Sequence, residues 1–187
     1  MGRLLINTDY KVDGLLSGRG IITGSMDNPQ FNGYILSDAL SINGELLNDI
    51  HGHVYADKTV VNVQDFTFAE KDGGRYVAKG GMKLDDSKQL FGVLDVTNGS
   101  VKNLLTLLDR ANEHLDGKLN GSVEIGGTKD NPSVNVVGKI SDVSIDDKVV
   151  GDATLNASLA NRKFKITTLK LPVDEGLIAM GGTLDLD

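Results

Sequence analysis

Cysteine and tryptophan are absent from this chain, and proline occurs three times in 187 residues. Without cysteine there is no disulfide, no thiolate metal site and no thiol nucleophile; the absence is compatible with a bacterial periplasm. With so little proline, long strands can run without losing ladder donors. Nowhere does the sequence hold the roughly 20 consecutive apolar residues of a membrane span. Leu4-Leu5-Ile6 is too short for the apolar region of a signal peptide. A basic cluster is missing too: 26 acidic and 19 basic residues are scattered along the chain for a net charge of −7. Phosphate binding needs a concentrated basic face, so nucleic acid is not an expected partner.

What is abundant is glycine, at 23 residues, together with valine, isoleucine, threonine and leucine. That mixture favours many strands joined by tight turns. The chain also repeats itself. Asp27-Asn28-Pro29 returns as Asp130-Asn131-Pro132, 103 residues later. The same offset carries Val12-Asp13-Gly14 onto Leu115-Asp116-Gly117, Gly24 onto Gly127 and Ser41-Ile42 onto Ser144-Ile145. A register held over so many positions is the mark of duplication.

The copies share their face pattern as well as their letters. Apolar residues or glycines alternate with polar ones, as half-buried strands require. In the first unit, residues 14–86, the apolar face takes Leu16, Ile22, Ile42, Val54, Val61, Val63, Phe66, Phe68, Met82 and Leu84. In the second, residues 117–187, it takes Leu119, Val123, Ile125, Val134, Val136, Ile145, Leu155, Phe164, Ile166, Leu169, Leu171, Ile178, Met180 and Leu184. Val61 and Val63 fall on odd positions and Phe66 and Phe68 on even ones; Phe164 and Ile166 slip identically against Leu169 and Leu171. Such a phase change predicts a β-bulge in both copies. Between the units, residues 99–113 read as an amphipathic helix: Val101, Leu104, Leu105 and Leu108 share a face, Asn98 or Ser100 caps its start, and Gly117 lies beyond its end.

Reactive constellations are scarce. His51 and His53 share one strand face, but the copy has Thr154 and Asn156 there and no third ligand is near, so a solvated face is the better reading. Asp85-Asp86 and Asp146-Asp147 fall in predicted turns, where aspartate is favoured for local hydrogen bonding. Adjacent carboxylates on a turn make a poor acid/base pair, because glycosidase-type catalysis needs two groups facing one another across a substrate. No enzyme, metal or cofactor is expected. Periodicity alone favours a filled core over an open trough.

A resemblance changes that balance. The apolar helix, then Leu115-Asp116-Gly117-Lys118-Leu119-Asn120-Gly121, then Gly126-Gly127-Thr128, the Asp130-Asn131-Pro132 turn and Gly181-Gly182-Thr183-Leu184 resemble the repeat of the TamB family, the inner-membrane component of the translocation and assembly module. The wider AsmA-like group of bridge-like lipid-transfer proteins is similar. The resemblance covers about Gly14 to Leu186. It implies an all-β fold with one helix, an elongated curled antiparallel sheet forming a U-shaped apolar trough (a β-taco). It also implies a periplasmic protein of a diderm bacterium, anchored in the inner membrane, that carries phospholipid between inner and outer membranes and supports outer-membrane biogenesis. On this reading the apolar residues named above line a lipid groove, and the chain is one segment of a longer rod. Its partners are acyl chains, adjacent repeats of the full-length protein and, through other regions, an Omp85-type outer-membrane barrel. Two other readings stay open: a scaffold that assists outer-membrane protein assembly by β-augmentation, and a structural spacer with a filled core. For the fold, both units are expected in one continuous sheet with unpaired edges and the helix packed near their junction.

Overall fold

A computed structural model describes residues 11–107, 114–173 and 176–185. They form one open antiparallel sheet of twelve strands and one short helix. The strands are β1 (Val12–Gly14), β2 (Ser17–Ser25), β3 (Asn28–Ile42), β4 (Glu45–Ala56), β5 (Val60–Glu70), β6 (Arg75–Lys83) and β7 (Leu90–Ser100). After helix α1 (Val101–Leu107) come β8 (Leu115–Gly127), β9 (Pro132–Ile145), β10 (Lys148–Ala160), β11 (Lys163–Val173) and β12 (Gly176–Asp185). Strands β3 to β12 pair in chain order, and β1 and β2 both lie along the outer edge of β3.

The duplication is visible in the elements. The 103-residue offset carries β5 onto β11 residue for residue, and β2, β3 and β4 onto β8, β9 and β10 within a few residues. The predicted bulges are present: the ladder slips between Val63 and Phe66 against β6, and between Ile166 and Leu169 against β12. Hairpin turns follow from residues that tolerate positive φ. Asn43-Gly44 (53° and 89°) joins β3 to β4, and Asp146-Asp147 (50° and 62°) joins β9 to β10.

One difference between the copies has a clear cause. β8 runs unbroken, whereas its counterpart is split into β1 and β2 at Leu15-Leu16. The hydroxyl of Ser37, where the copy has Ile140, lies 2.6 Å from the Leu15 carbonyl and 2.9 Å from that of Ala39. It occupies the place of a ladder bond, and the edge strand kinks around it.

Helix α1 lies against β8, β7 and β4. Ser100 caps it, its Oγ accepting from the Asn103 N–H at 3.2 Å. Asn98 is in the left-handed region instead (φ 57°), its N–H given to Asn120 Oδ1 at 2.9 Å. At the other end the Asn43 amide donates to the Leu107 carbonyl at 3.2 Å. Seven residues of helix span about 10 Å, while the four strand spacings from β7 to the turn after β3 measure about 19 Å on a flat sheet. The sheet therefore curls toward the helix. The rest of the predicted helix, Leu108 to residue 113, lies outside the described residues.

Under the helix end sits the tightest packing: Leu47, Ile50, Tyr76 and Val96 are buried, Tyr76 completely. Glu70, 3% exposed, is buried among them. Its Oε1 accepts the Tyr76 hydroxyl and its Oε2 accepts the Ser100 N–H at 3.0 Å. Burial and the Glu70 hydrogen bond hold the Tyr76 phenol far above its usual range. A buried carboxyl group stripped of a donor loses about 1–3 kcal/mol, so Tyr76→Phe should lower stability by that amount, read from the urea midpoint at constant m.

At the opposite side of the same strands Asp57 closes the β4–β5 turn. Its Oδ1 accepts from the Thr59 hydroxyl and N–H, both 2.7 Å, and from the Val60 N–H at 3.0 Å. These bonds, the Thr59 hydroxyl first, draw its carboxyl down to about 2 from 3.8. A depressed carboxylate stabilises above its unfolded value and loses that contribution as pH falls toward the folded one. The turn should therefore loosen between about pH 4 and 2, and Asp57→Asn should abolish this titration; carboxyl NMR shifts of Asp57 and amide exchange of Thr59 and Val60 check it.

Candidate functional site: an apolar face across the sheet

In-register partners of an antiparallel ladder share a face, so pairing alone traces the surface. One row runs Gly33, Val54, Val63, Gly80, Gly92, Ile125, Val134, Leu159, Phe164, Leu184. Its neighbour runs Ile35, Gly52, Phe66, Ala78, Leu94, Val123, Val136, Ala157, Ile166, Gly182. Each crosses ten strands without a polar residue. A third row, from Phe68 through Tyr76, Val96, Gly121, Gly138 and Leu155 to Leu169 and Met180, continues toward the helix.

Most of the residues expected on this face are thus brought together. Val61 and Met82 pair beside the first row, as do Ile22 and Phe31; Leu171 pairs with Ile178, and Leu119 with Ile140. Ile42 and Ile145 lie at hairpin ends, opposite Glu45 and Leu115 respectively. Leu16 and Leu84 fall outside the strands: Leu16 in the break between β1 and β2, Leu84 just after β6 with its N–H on the Thr59 carbonyl at 2.7 Å. The sequence reading missed β7 entirely, with Leu90, Leu94 and Val96. Phe31, Ile35, Leu47 and Val143 were also overlooked, although alternation marks the first two.

Aromatic rings shape the surface. A Cβ on Gly52 would lie 2.6 Å from the Phe66 ring, and one on Gly33 2.5 Å from the Phe31 ring, so rings of one strand roof glycines of its neighbour or its own strand. Phe68 stacks on Tyr76 at 4.5 Å between centroids. The face is unevenly covered: Ala157 of β10 is as buried as the residues near α1, at 3% exposed, while Ile125 is 42% exposed, Phe164 37%, Met180 54% and Leu184 60%. The chain exposes 12651 Å² in total, against about 8,700 Å² for a compact monomer of its mass.

The polar face carries the charges. Two shallow hollows of about 730 and 640 Å³ open there, the first beside Asp95, Ser122, Asn156 and Thr168, the second beside Asn62, Lys79 and Glu124. His53 stacks on Tyr34 at 4.4 Å and meets Asn32 Oδ1 at 2.6 Å; His51 meets the Thr67 hydroxyl at 2.8 Å. Among the described residues no three His, Asp or Glu are grouped to hold a metal, and no helix is long and apolar enough to cross a membrane. Near the helix Glu45 is pushed up, by burial first and then by the charges of Glu70 and Asp72.

No family model, no curated protein and no solved structure matches the chain.

Because each histidine is already engaged by a neighbour on its own face, added zinc should leave the melting temperature unchanged, and His51→Ala/His53→Ala should respond as the original does. A zinc-dependent rise lost in the double variant would reveal a metal site.

Proposed function

We propose that this chain is a segment of a lipid-sheltering trough: a non-enzymatic, periplasmic protein of a diderm bacterium, anchored in the inner membrane, whose apolar face holds phospholipid acyl chains on their way between the two membranes. The observation that carries this reading is the pair of unbroken apolar rows across ten strands, exposed to solvent at Ile125, Phe164 and Leu184. Acyl chains in water cost about 0.8 kcal/mol per CH₂; a continuous aliphatic wall removes that cost at every point along its length. Glycine, aromatic rings and branched aliphatic residues give a wall without polar anchors, which suits sliding rather than capture. A charged head group stays hydrated at the open side. The resemblance to the TamB family supports the same role, with adjacent repeats and an Omp85-type barrel as further partners.

A second reading, a scaffold for outer-membrane strands, is favoured by the outer edges of β2 and β12, which have no partner strand among the described residues. The readings separate on lipid. Organic extracts of the purified protein should contain phospholipid by mass spectrometry. Ile125→Glu and Ile166→Glu should stay folded by circular dichroism, since the carboxylate reaches water from the open face, yet lose most of that lipid. The polar-face control Asn156→Glu should keep it. If both trough variants melt while the control is normal, the face is an ordinary core and the lipid role fails.

A further inference from the structure

The polar face of the sheet is interrupted by apolar side chains around its two hollows. On β7, Phe91 and Val93 take this face; Phe91 pairs with Gly81, and Val93 pairs with Lys79 on one side and Glu124 on the other. On β9, Val137 pairs with Ser122 and is 57% exposed. Single exposed apolar residues are ordinary. These three instead line the hollows, Phe91 and Val93 the smaller and Val137 the larger. The hollows also adjoin. Val93 and Glu124 border one, Asp95 and Ser122 the other, and the two pairs are neighbouring rungs of the β7–β8 ladder, about 7 Å apart.

Phe91 is placed by a glycine. A Cβ on Gly81 would lie 3.0 Å from the tip of its ring. The ring therefore reaches across bare backbone of β6, and it stays 39% exposed. Around these apolar carbons the polar groups are balanced in charge and unspent. One lysine and one carboxylate line each hollow, Lys79 with Glu124 and Lys139 with Asp95. Asn62, Gln64, Asp95, Ser122, Thr154 and Thr168 make no side-chain hydrogen bond among the described residues. An anionic ligand would call for a surplus of cations. Hydroxyls, amides and both charges set beside exposed apolar carbon suit a neutral molecule with donors and acceptors around its rim and C–H groups on its faces.

We propose that this face binds a neutral oligosaccharide, with one sugar ring against the Phe91 ring and the next lying over Val93 toward Asp95, Ser122 and Thr168. Volumes of about 730 and 640 Å³ fall within the range of small-ligand sites. The site lies on the opposite face from the apolar rows and does not rest on the lipid reading.

The test titrates the intact protein with maltohexaose, cellohexaose and chitohexaose and follows backbone amide NMR shifts. Saturable shifts over residues 91–95 and 122–124 are expected with at least one of the three. Phe91→Ala should weaken that binding about tenfold, and Phe91→Tyr should keep it. Asp95→Ala, at an exposed position, should weaken it with an unchanged melting temperature, and it decides alone if Phe91→Ala melts early. Sodium phosphate and phosphatidylglycerol vesicles should leave these amides unmoved. No saturable shift with any of the sugars, shifts confined to other strands, binding indifferent to Asp95→Ala or to a folded Phe91→Ala, or the same amides moved by phosphate or vesicles would each overturn the proposal.

Discussion

Every strand of an open sheet shares its faces with its neighbours, and a slip of one residue sends a strand's apolar set to the other side. The architecture depends on that parity being kept across twelve strands. It is kept by local corrections. The bulges after Val63 and Ile166 reverse the parity of the apolar series, odd to even in β5 and even to odd in β11, without moving it off its face. Asp49, at φ 51°, does the same in β4, so that Leu47 and Ile50 are both buried although one is odd and the other even. Asp142, at φ 53°, serves β9 between Ile140 and Val143. Aspartate accepts the left-handed conformation that these corrections need.

A curled sheet with one covered end and one open end has two stability regimes. At the helix, packing resembles an ordinary core, and a buried carboxyl group is tolerated because Tyr76 and the Ser100 amide satisfy it. The same region ties three distant pieces of chain together. Glu70 ends β5, Tyr76 is the second residue of β6, and Ser100 ends β7 and caps the helix, while Asp116 of β8 accepts from Ser100 Oγ at 3.2 Å. Away from the helix the apolar rows lack such a cover, and the hydrogen-bonded ladder holds their geometry.

Glycine has more than one use here. In turns it supplies positive φ; in the rows it thins the wall, either leaving room for a neighbouring ring, as Phe66 over Gly52, or letting backbones approach, as at Gly80 and Gly92. The wall therefore alternates between ring, branched side chain and bare backbone, which gives an uneven but entirely apolar floor.

Much of this was legible in the sequence because it depends on near neighbours: the period of two, the duplication, the paired bulges, the turn at Asp146-Asp147, and a helix cap at Asn98 or Ser100. β7 was not. It has no copy to align with, and Phe91 and Val93 put apolar residues on its polar face, which blurs the alternation that marks a strand. Nor did the sequence announce the Glu70, Tyr76 and Ser100 cluster. A glutamate at the end of a strand reads as solvated, and what buries it is a helix start 30 residues away. Alternation and turn chemistry are properties of adjacent residues, so the chain determined its own strands and their faces. How far the apolar face is covered depends on which strand ends the curl brings to the helix, and only the tertiary structure decided that.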